Sequence, residues 1–308
     1  VDAQEADPVT WEDETYDDVP VRRLSFNLAA SHDLFHWSFD NTWVGDHLAT
    51  LMDDFKPDVL HLISGYLLTG RALLTATERG VPSVVTLTDF WFLCPRMSLL
   101  KTDGRISSLP IRPESCAQCL GEEQRRFLWL GRLFPGVMRS YWSRQRPAIQ
   151  RIEERSSFLR DALNTAQVII SPSNFLKAVH VEAGISPTRI RFSRQGRDFP
   201  QLTGDALTKS ASDVLRIGYI GQVAELKGVH VIVEAAKRLP NARISVAVFG
   251  ELEHYPHYAR RLRSLCEGDA RVSLAGAFHG HEDLVRVFRD LDVIVVPSLW
   301  YENSPNAI

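Results

Sequence analysis

Four cysteines in 308 residues are too few for a disulfide framework, which excludes the small stapled scaffolds of secreted proteins. No stretch reaches the ~18 apolar residues of a membrane-spanning helix, and the first residues lack a basic-then-apolar signal pattern. The expectation is a cytoplasmic protein. A strong excess of one charge is missing too: the formal net charge is -3, so bulk electrostatics give no reason to expect a nucleic-acid partner. Solenoid-period repeats are absent. The glycine spacing fits neither the GxGxxG nor the GxxxxGKS/T fingerprint, so neither a dinucleotide site nor a P-loop is supported.

What is present is a globular composition, 44% hydrophobic and 24% charged, long enough for two domains of ordinary size. Strand-like runs alternate with amphipathic helical patterns, the mark of an α/β fold. The first series of strands is expected at 21–26, 58–63, 83–87 and 167–170, with Leu48, Leu51, Met52 and Phe55 on one helical face. A second series is expected at 215–220, 244–249, 272–275 and 293–296. Helices at about 228–239, 256–267 and 282–291 separate its members. Val229, Ile232, Val233 and Ala236 form one apolar stripe, and Leu284, Val287, Phe288 and Leu291 another. Between the series, residues 204–213 are short, polar and aperiodic, which suits a linker.

The closing stretch PSLWYENSPNAI places Glu302 and a polar turn directly after a buried apolar run at 292–296. That run reads as a central parallel strand with both faces covered, and ligands bind open α/β sheets beyond the carboxyl ends of their strands. Asn303, Ser304 and Asn306 add amides and short polar side chains suited to hydroxyl or phosphate oxygens. At the start of the second series, RIGYIGQVAELKGVHVIVEA runs from a strand through Gly221 and Gln222 to Lys227 and a helix. Helix-start amides and one ammonium there could converge on an anion such as a diphosphate. On residues alone, Gly221 serves equally well as a tight turn, and Lys227 and Glu302 as solvated side chains.

Together, GQVAELKGVHVIVEA, the strand ending VFGE, LAGAFHG and LDVIVVPSLWYENSPNA resemble the donor-binding domain of glycosyltransferase family 4. KPDVLHLISG, GVPSVVTLTDFWFLCPR and VIISPSNFLKAVHVEAGISPTRIRFSRQG extend the resemblance into the first half. The resemblance implies a GT-B architecture, two Rossmann-like domains facing a cleft: 1–208 for the acceptor and 209–308 for the donor. It implies retaining transfer from a UDP- or GDP-sugar to a hydroxyl of a glycan or lipid-linked acceptor, with no metal or other cofactor required. Lys227 would neutralise the diphosphate and Glu302 would contact the transferred sugar. Gly221, Gln222, Gly250, Phe278, Asn303, Ser304 and Asn306 would complete the donor site. On the acceptor side it points to His61, at a strand end facing the cleft, and to Thr88, while Asp89 and Arg96 are candidates by position alone, after the next strand.

Departures from the family pattern carry expectations of their own. Gln222 stands where many relatives have an arginine, and Thr88 where they often have histidine, so a non-catalytic nucleotide-sugar-binding subunit is the alternative reading. The family's first strand and glycine-rich loop would precede Val1, and its second glutamate would follow Ile308, as expected of a fragment with an incomplete site. Cys94, Cys116 and Cys119 surround one loop, with Ser107 where some relatives place a fourth cysteine. Reduced loop thiols are the simpler expectation, and a zinc site the other.

Charge is uneven along the chain. Residues 1–20 hold eight acids and no Lys or Arg, whereas 122–160 hold nine Arg against four Glu. In that second segment arginines interleave with Phe127, Trp129, Leu130, Leu133, Phe134, Tyr141 and Trp142. Two readings follow: a helical pair packed on the first domain with its arginines in water, or a peripheral surface for the inner membrane face.

Overall fold

The computed structural model describes residues 8–196, 208–209 and 211–304, without the side chains of Arg125 and His281. The chain divides into two compact units between Arg194 and Gln195. The expected linker, 204–213, lies partly outside the described residues.

The first unit opens with an antiparallel hairpin, β1 (Val9–Tyr16) and β2 (Val19–Phe26), which forms a sheet of its own. The strand expected at 21–26 therefore does not belong to the parallel series, and its partner β1 was not expected at all. The run VTWEDETY is too acidic to read as a strand. Its acids find cross-strand arginines instead: Asp13 lies opposite Arg22 and is bound by it through two 2.6 Å bonds. Trp11 packs on His47 at 4.4 Å between ring centres, and Phe26 meets Trp37 at 6.1 Å, so aromatic contacts join the hairpin to the helices that follow.

After α1 (Leu34–Trp37), α2 (Thr42–Phe55) is capped by Asn41, whose side chain accepts from the Val44 amide. The helix stops at Lys56, a left-handed residue before Pro57. The expected apolar face is corrected in part. Met52 is buried, and so is Val44 at the other end of the same face, but Phe55, the last residue of the helix, is 74% exposed. Four parallel strands follow in the order β3 (Leu60–Ile63), β4 (Ser83–Thr86), β5 (Val168–Ser171) and β6 (Ile190–Phe192). Between them run α3 (Arg71–Glu78), α4 (Pro113–Gly121), α5 (Arg125–Leu133), α6 (Pro135–Trp142), α7 (Arg146–Thr165) and α8 (Asn174–Glu182). Proline opens α4 and α6, where its missing N–H costs no hydrogen bond.

Helix α7 buries Ile149, Ile152, Leu159, Ala162 and Leu163, and with them Arg155. The expectation of arginines in water holds for Arg126, Arg132, Arg139, Arg144, Arg146, Arg151 and Arg160 and is corrected for Arg155. Arg155 falls on the same i, i+3, i+7 stripe as its apolar neighbours and is 1% exposed. Its Nη2 donates to the Trp91 carbonyl, while Nε and Nη1 have no partner. Burial lowers its pKa to about 10, against the opposing pull of Cys94 and Cys116.

The second unit alternates strand and helix without interruption: β7 (Leu215–Ile220), α9 (Val229–Lys237), β8 (Ile244–Phe249), α10 (Pro256–Cys266), β9 (Val272–Gly276), α11 (Gly280–Arg289) and β10 (Val293–Ile294). The sheet is parallel in the order β10-β7-β8-β9. Val229, Ile232, Val233 and Ala236 of α9 pack onto Val246 and Val248 of β8, together with Tyr258 and Leu262 of α10. This stripe is the one expected. Val287 and Leu291 are buried as well, although α11 ends at Arg289, short of the expected 291.

The strand expected at 292–296 is corrected in extent and place. Val293 and Ile294 are in register with β7 alone, the Asp292 and Val295 amides adding bonds to Arg216 O and Gly218 O at 2.8 and 2.9 Å, and Val293 is 42% exposed. Among the described residues β10 is an edge strand. Asp292 spends its carboxylate on Arg216 at 2.8 and 3.0 Å, and Pro297 has no amide with which to continue the ladder.

Candidate functional site

The carboxyl ends of β7, β8 and β9 are laced together, the Gly221 amide donating to Phe249 O at 3.0 Å and the Gly250 amide to Gly276 O at 2.8 Å. A Cβ on Gly250 would lie 2.0 Å from the Gly221 carbonyl oxygen, so only glycine lets the two strand ends approach. Past Gly221 the chain turns through Gln222, whose carbonyl accepts from the Tyr219 hydroxyl at 2.7 Å. Its side-chain amide reaches Tyr255 Oη at 3.4 Å. A single 3-10 turn, Glu225–Lys227, then leads to Gly228 at φ +70° and into α9.

Gly228 is where two distant parts of the chain meet. Its missing side chain leaves room for the Pro297 carbonyl, which a Cβ would approach to 2.2 Å. The Leu299 amide donates to Leu226 O at 2.9 Å beside it. The segment after β10 is thus pinned against the start of α9, and Lys227 and Glu302 become neighbours. Lys227 Nζ lies 2.7 Å from Glu302 Oε1. Trp300 Nε1 donates to the same oxygen at 2.9 Å, and the Ser298 hydroxyl is a third donor to it. The ammonium also sits 4.7 Å above the Trp300 ring, where the π face favours a cation.

Burial alone would push the Glu302 carboxyl up. The bonds from Lys227, Ser298 and Trp300, together with the ammonium charge, outweigh it and hold the pKa below the ordinary carboxylate value. A depressed folded-state pKa means the anchoring of this segment is fully present above the ordinary carboxylate pKa and fades as pH falls through the depressed value. Comparing the pH dependence of unfolding for the wild type and Glu302→Gln is expected to show a stability difference at neutral pH that shrinks in acid. A constant difference would mean that the carboxylate charge contributes nothing.

Of the residues expected at this site, the structure joins Lys227 and Glu302 directly and sets Gly221, Gln222 and Gly250 at the adjoining strand ends. Asn303 and Ser304 follow Glu302 and are half-buried; Asn306 lies outside the described residues. Phe278 comes after β9, also half-buried, with no hydrogen bond or ring contact to the Lys227–Glu302 pair among the described residues. Ser298 and Trp300 were not expected, though their places four and two residues before Glu302 were visible. Tyr219 was missed too. Burial and the nearby Glu302 charge raise its pKa, in keeping with a hydroxyl that stays a donor. Also unforeseen was Tyr258, whose hydroxyl takes the His230 amide at 3.0 Å, one of the unpaired donors at the start of α9.

The residues expected on the acceptor side belong to the first unit, and among the described residues no hydrogen bond or ion pair joins His61 or Arg96 to Thr88 or Asp89. His61 is the second residue of β3 rather than its end, and its Nε2 lies 2.8 Å from Thr86 Oγ1 on β4. Thr88 and Asp89 do meet, at 3.5 Å, and Asp89 Oδ1 accepts from the Trp91 amide at 2.7 Å. Burial raises the Asp89 pKa against those bonds. Arg96 donates to Leu100 O at 3.0 Å and is paired with Glu123.

All three loop cysteines are free thiols, Cys94 and Cys119 buried and Cys116 partly so. Burial and the neighbouring sulfurs push the Cys116 thiol up to about 12. Among the described residues no group of three or more His, Cys, Asp or Glu side chains could hold a metal ion.

Comparison with known proteins adds the following. Residues 214–308 match the model of a family described as glycosyl transferases group 1. No curated protein matches significantly. Among solved structures, Anabaena Alr3699/HepE in complex with UDP is similar with a TM-score of 0.51 at 13% identity, over 82% of this chain and 56% of that one. Its complex with UDP and glucose gives 0.50 at 15% identity, over 86% and 58%. A glycosyltransferase from Rickettsia africae gives 0.50 at 15%, over 87% and 57%. The present chain spans less than three fifths of these chains. Likeness at such identities speaks for architecture: the chain has the GT-B fold, and its second unit carries the pattern of the glycosyl transferases group 1.

Proposed function

We propose that this protein is a glycosyltransferase of family 4 that moves a sugar from a UDP- or GDP-sugar to a hydroxyl of a glycan or lipid-linked acceptor, with retention and without a metal. The observation that carries the proposal is the Lys227–Glu302 pair. Residues 75 apart in sequence meet at the carboxyl edge of a parallel sheet, within the part of the chain that matches the family. Lys227 has three N–H donors. One binds Glu302, and the others are free to face the diphosphate as the anomeric carbon–oxygen bond breaks and negative charge develops. Glu302 has its Oε1 saturated by three donors, which leaves Oε2 for a sugar hydroxyl. The acceptor oxygen then bonds to the anomeric carbon, and its proton passes to a donor phosphate oxygen on the leaving-group face. No protein carboxylate serves as nucleophile, so the two-carboxylate scheme of glycoside hydrolases is not invoked. On this reading the first unit receives the acceptor.

A second reading, a subunit that binds a nucleotide sugar without transferring it, is favoured by Gln222, whose amide bonds to Tyr255 and adds no positive charge beside Lys227. Calorimetric titration with UDP- and GDP-sugars followed by turnover assays separates the two. Binding with transfer supports the enzyme and binding without transfer to any acceptor supports the subunit. If no nucleotide sugar binds, both readings fail.

A further inference from the structure

Helices α5 and α6 have two apolar faces, and the fold uses one. Met138 and Trp142 are buried, with Phe127 at 5.3 Å from the Trp142 ring. The other face presents Trp129, Leu130, Leu133, Phe134, Val137 and Tyr141 to solvent, each between 42% and 70% exposed. Trp129 and Leu133 are four residues apart on α5, as are Val137 and Tyr141 on α6, so each helix contributes a continuous stripe. Six large apolar side chains left in water within 13 residues form a contact surface rather than scattered exceptions.

The charge around that surface is of one sign. From Gln124 to Arg146 the sequence has six arginines and no acid. Arg126 rests on the Phe127 ring at 4.8 Å, and none of Arg126, Arg132, Arg139, Arg144 and Arg146 forms an ion pair among the described residues. A second copy of the chain is a poor occupant, because two-fold pairing would set these arginines against their own counterparts with no acid to offset them. Spanning a bilayer is excluded for this pair: the helices have 9 and 8 residues, against ~20 for a transmembrane helix. An apolar stripe flanked by arginines fits an interface whose surface is anionic and whose interior is hydrocarbon.

We propose that the α5–α6 pair docks this protein on anionic lipid bilayers, Trp129, Leu133, Phe134 and Val137 entering the boundary between headgroups and acyl chains, with Arg126, Arg132 and Arg139 on lipid phosphates. The surface stands independently of the donor site and is testable without any nucleotide sugar.

The test is flotation of the purified chain with phosphatidylcholine vesicles, with and without about one third phosphatidylglycerol. Flotation is expected only with the anionic vesicles and should weaken as salt rises. Changing Arg126, Arg132 and Arg139 to Gln is expected to lower the affinity about fivefold each, ~100-fold together. Changing Trp129, Leu133 and Val137 to Ser should abolish flotation while the charge stays unaltered. All six side chains are exposed, so both variants should keep the wild-type thermal midpoint. Absence of flotation, equal flotation on neutral vesicles, or an unweakened arginine variant would overturn the proposal. So would concentration-dependent dimers that disappear in the serine variant while vesicles are ignored, which would assign the face to a second copy.

Discussion

Lys227→Ala is expected to lower turnover by about two to three orders of magnitude, the loss that follows removal of one preorganised donor from a developing oxyanion. In free-energy terms this is ~3–4 kcal/mol of transition-state stabilisation. The fold should survive, because the ammonium is held at the surface edge of the site, with 21% of the side chain exposed, and Glu302 keeps its bonds from Ser298 and Trp300. Lys227→Arg is expected to restore part of the rate, since charge returns but the guanidinium fork cannot occupy the ammonium's place above Trp300. Steady-state kinetics on a nucleotide sugar give the answer. An alanine variant with wild-type kcat and KM would remove Lys227 from the chemistry and leave it a tether for the loop.

Gly228→Ala is expected to do more damage to the fold than to any single contact. The residue sits at φ +70°, which costs an L-residue about 1 kcal/mol, and the added Cβ would meet the Pro297 backbone oxygen at 2.2 Å. Backbone, unlike a long side chain, has little freedom to retreat. The segment carrying Ser298, Trp300 and Glu302 must move away from α9, taking the Leu299–Leu226 bond and the Lys227 pair with it. A loss of about 2–4 kcal/mol is expected, read as a lowered thermal midpoint of the second unit, together with loss of nucleotide-sugar binding. A variant that binds nucleotide sugar as the wild type does would show that this crossing does not build the site.

The second unit was the more legible half, for a physical reason. Its strands and helices alternate, so each buried run such as Val246–Val248 is bounded by an amphipathic stripe whose period is unmistakable, and Lys227 and Glu302 fall where strand ends must lie. The fate of β10 was not legible. Sequence shows the apolar run 292–296, but pairing stops where Pro297 cannot donate, and which strands flank it is a property of the whole sheet. In the first unit, periodicity misled where polar and apolar roles were exchanged. Arg155 occupies a core position that its charge disguised, Phe55 an exposed one that its apolarity disguised, and β1 was hidden by its acids. The Arg96–Glu123 pair was invisible for a simpler reason: its members lie 27 positions apart along the chain, and no local pattern announces such a partner.

The terminal hairpin has one more consequence. Among the described residues β1 and β2 pair only with each other, so each presents an outer row of backbone donors and acceptors to water, a template on which another extended chain could grow. The acids along β1 answer that hazard. A second copy of β1 added alongside would bring Glu12 against its counterpart, whereas Asp13 and Glu14 already pair with Arg22 and Arg23 within the hairpin. The feature that concealed this strand from pattern reading is therefore its protection against aggregation. Neutralising Glu12 would expose the cost, not as an altered fold but as a lower concentration at which the protein stays in solution.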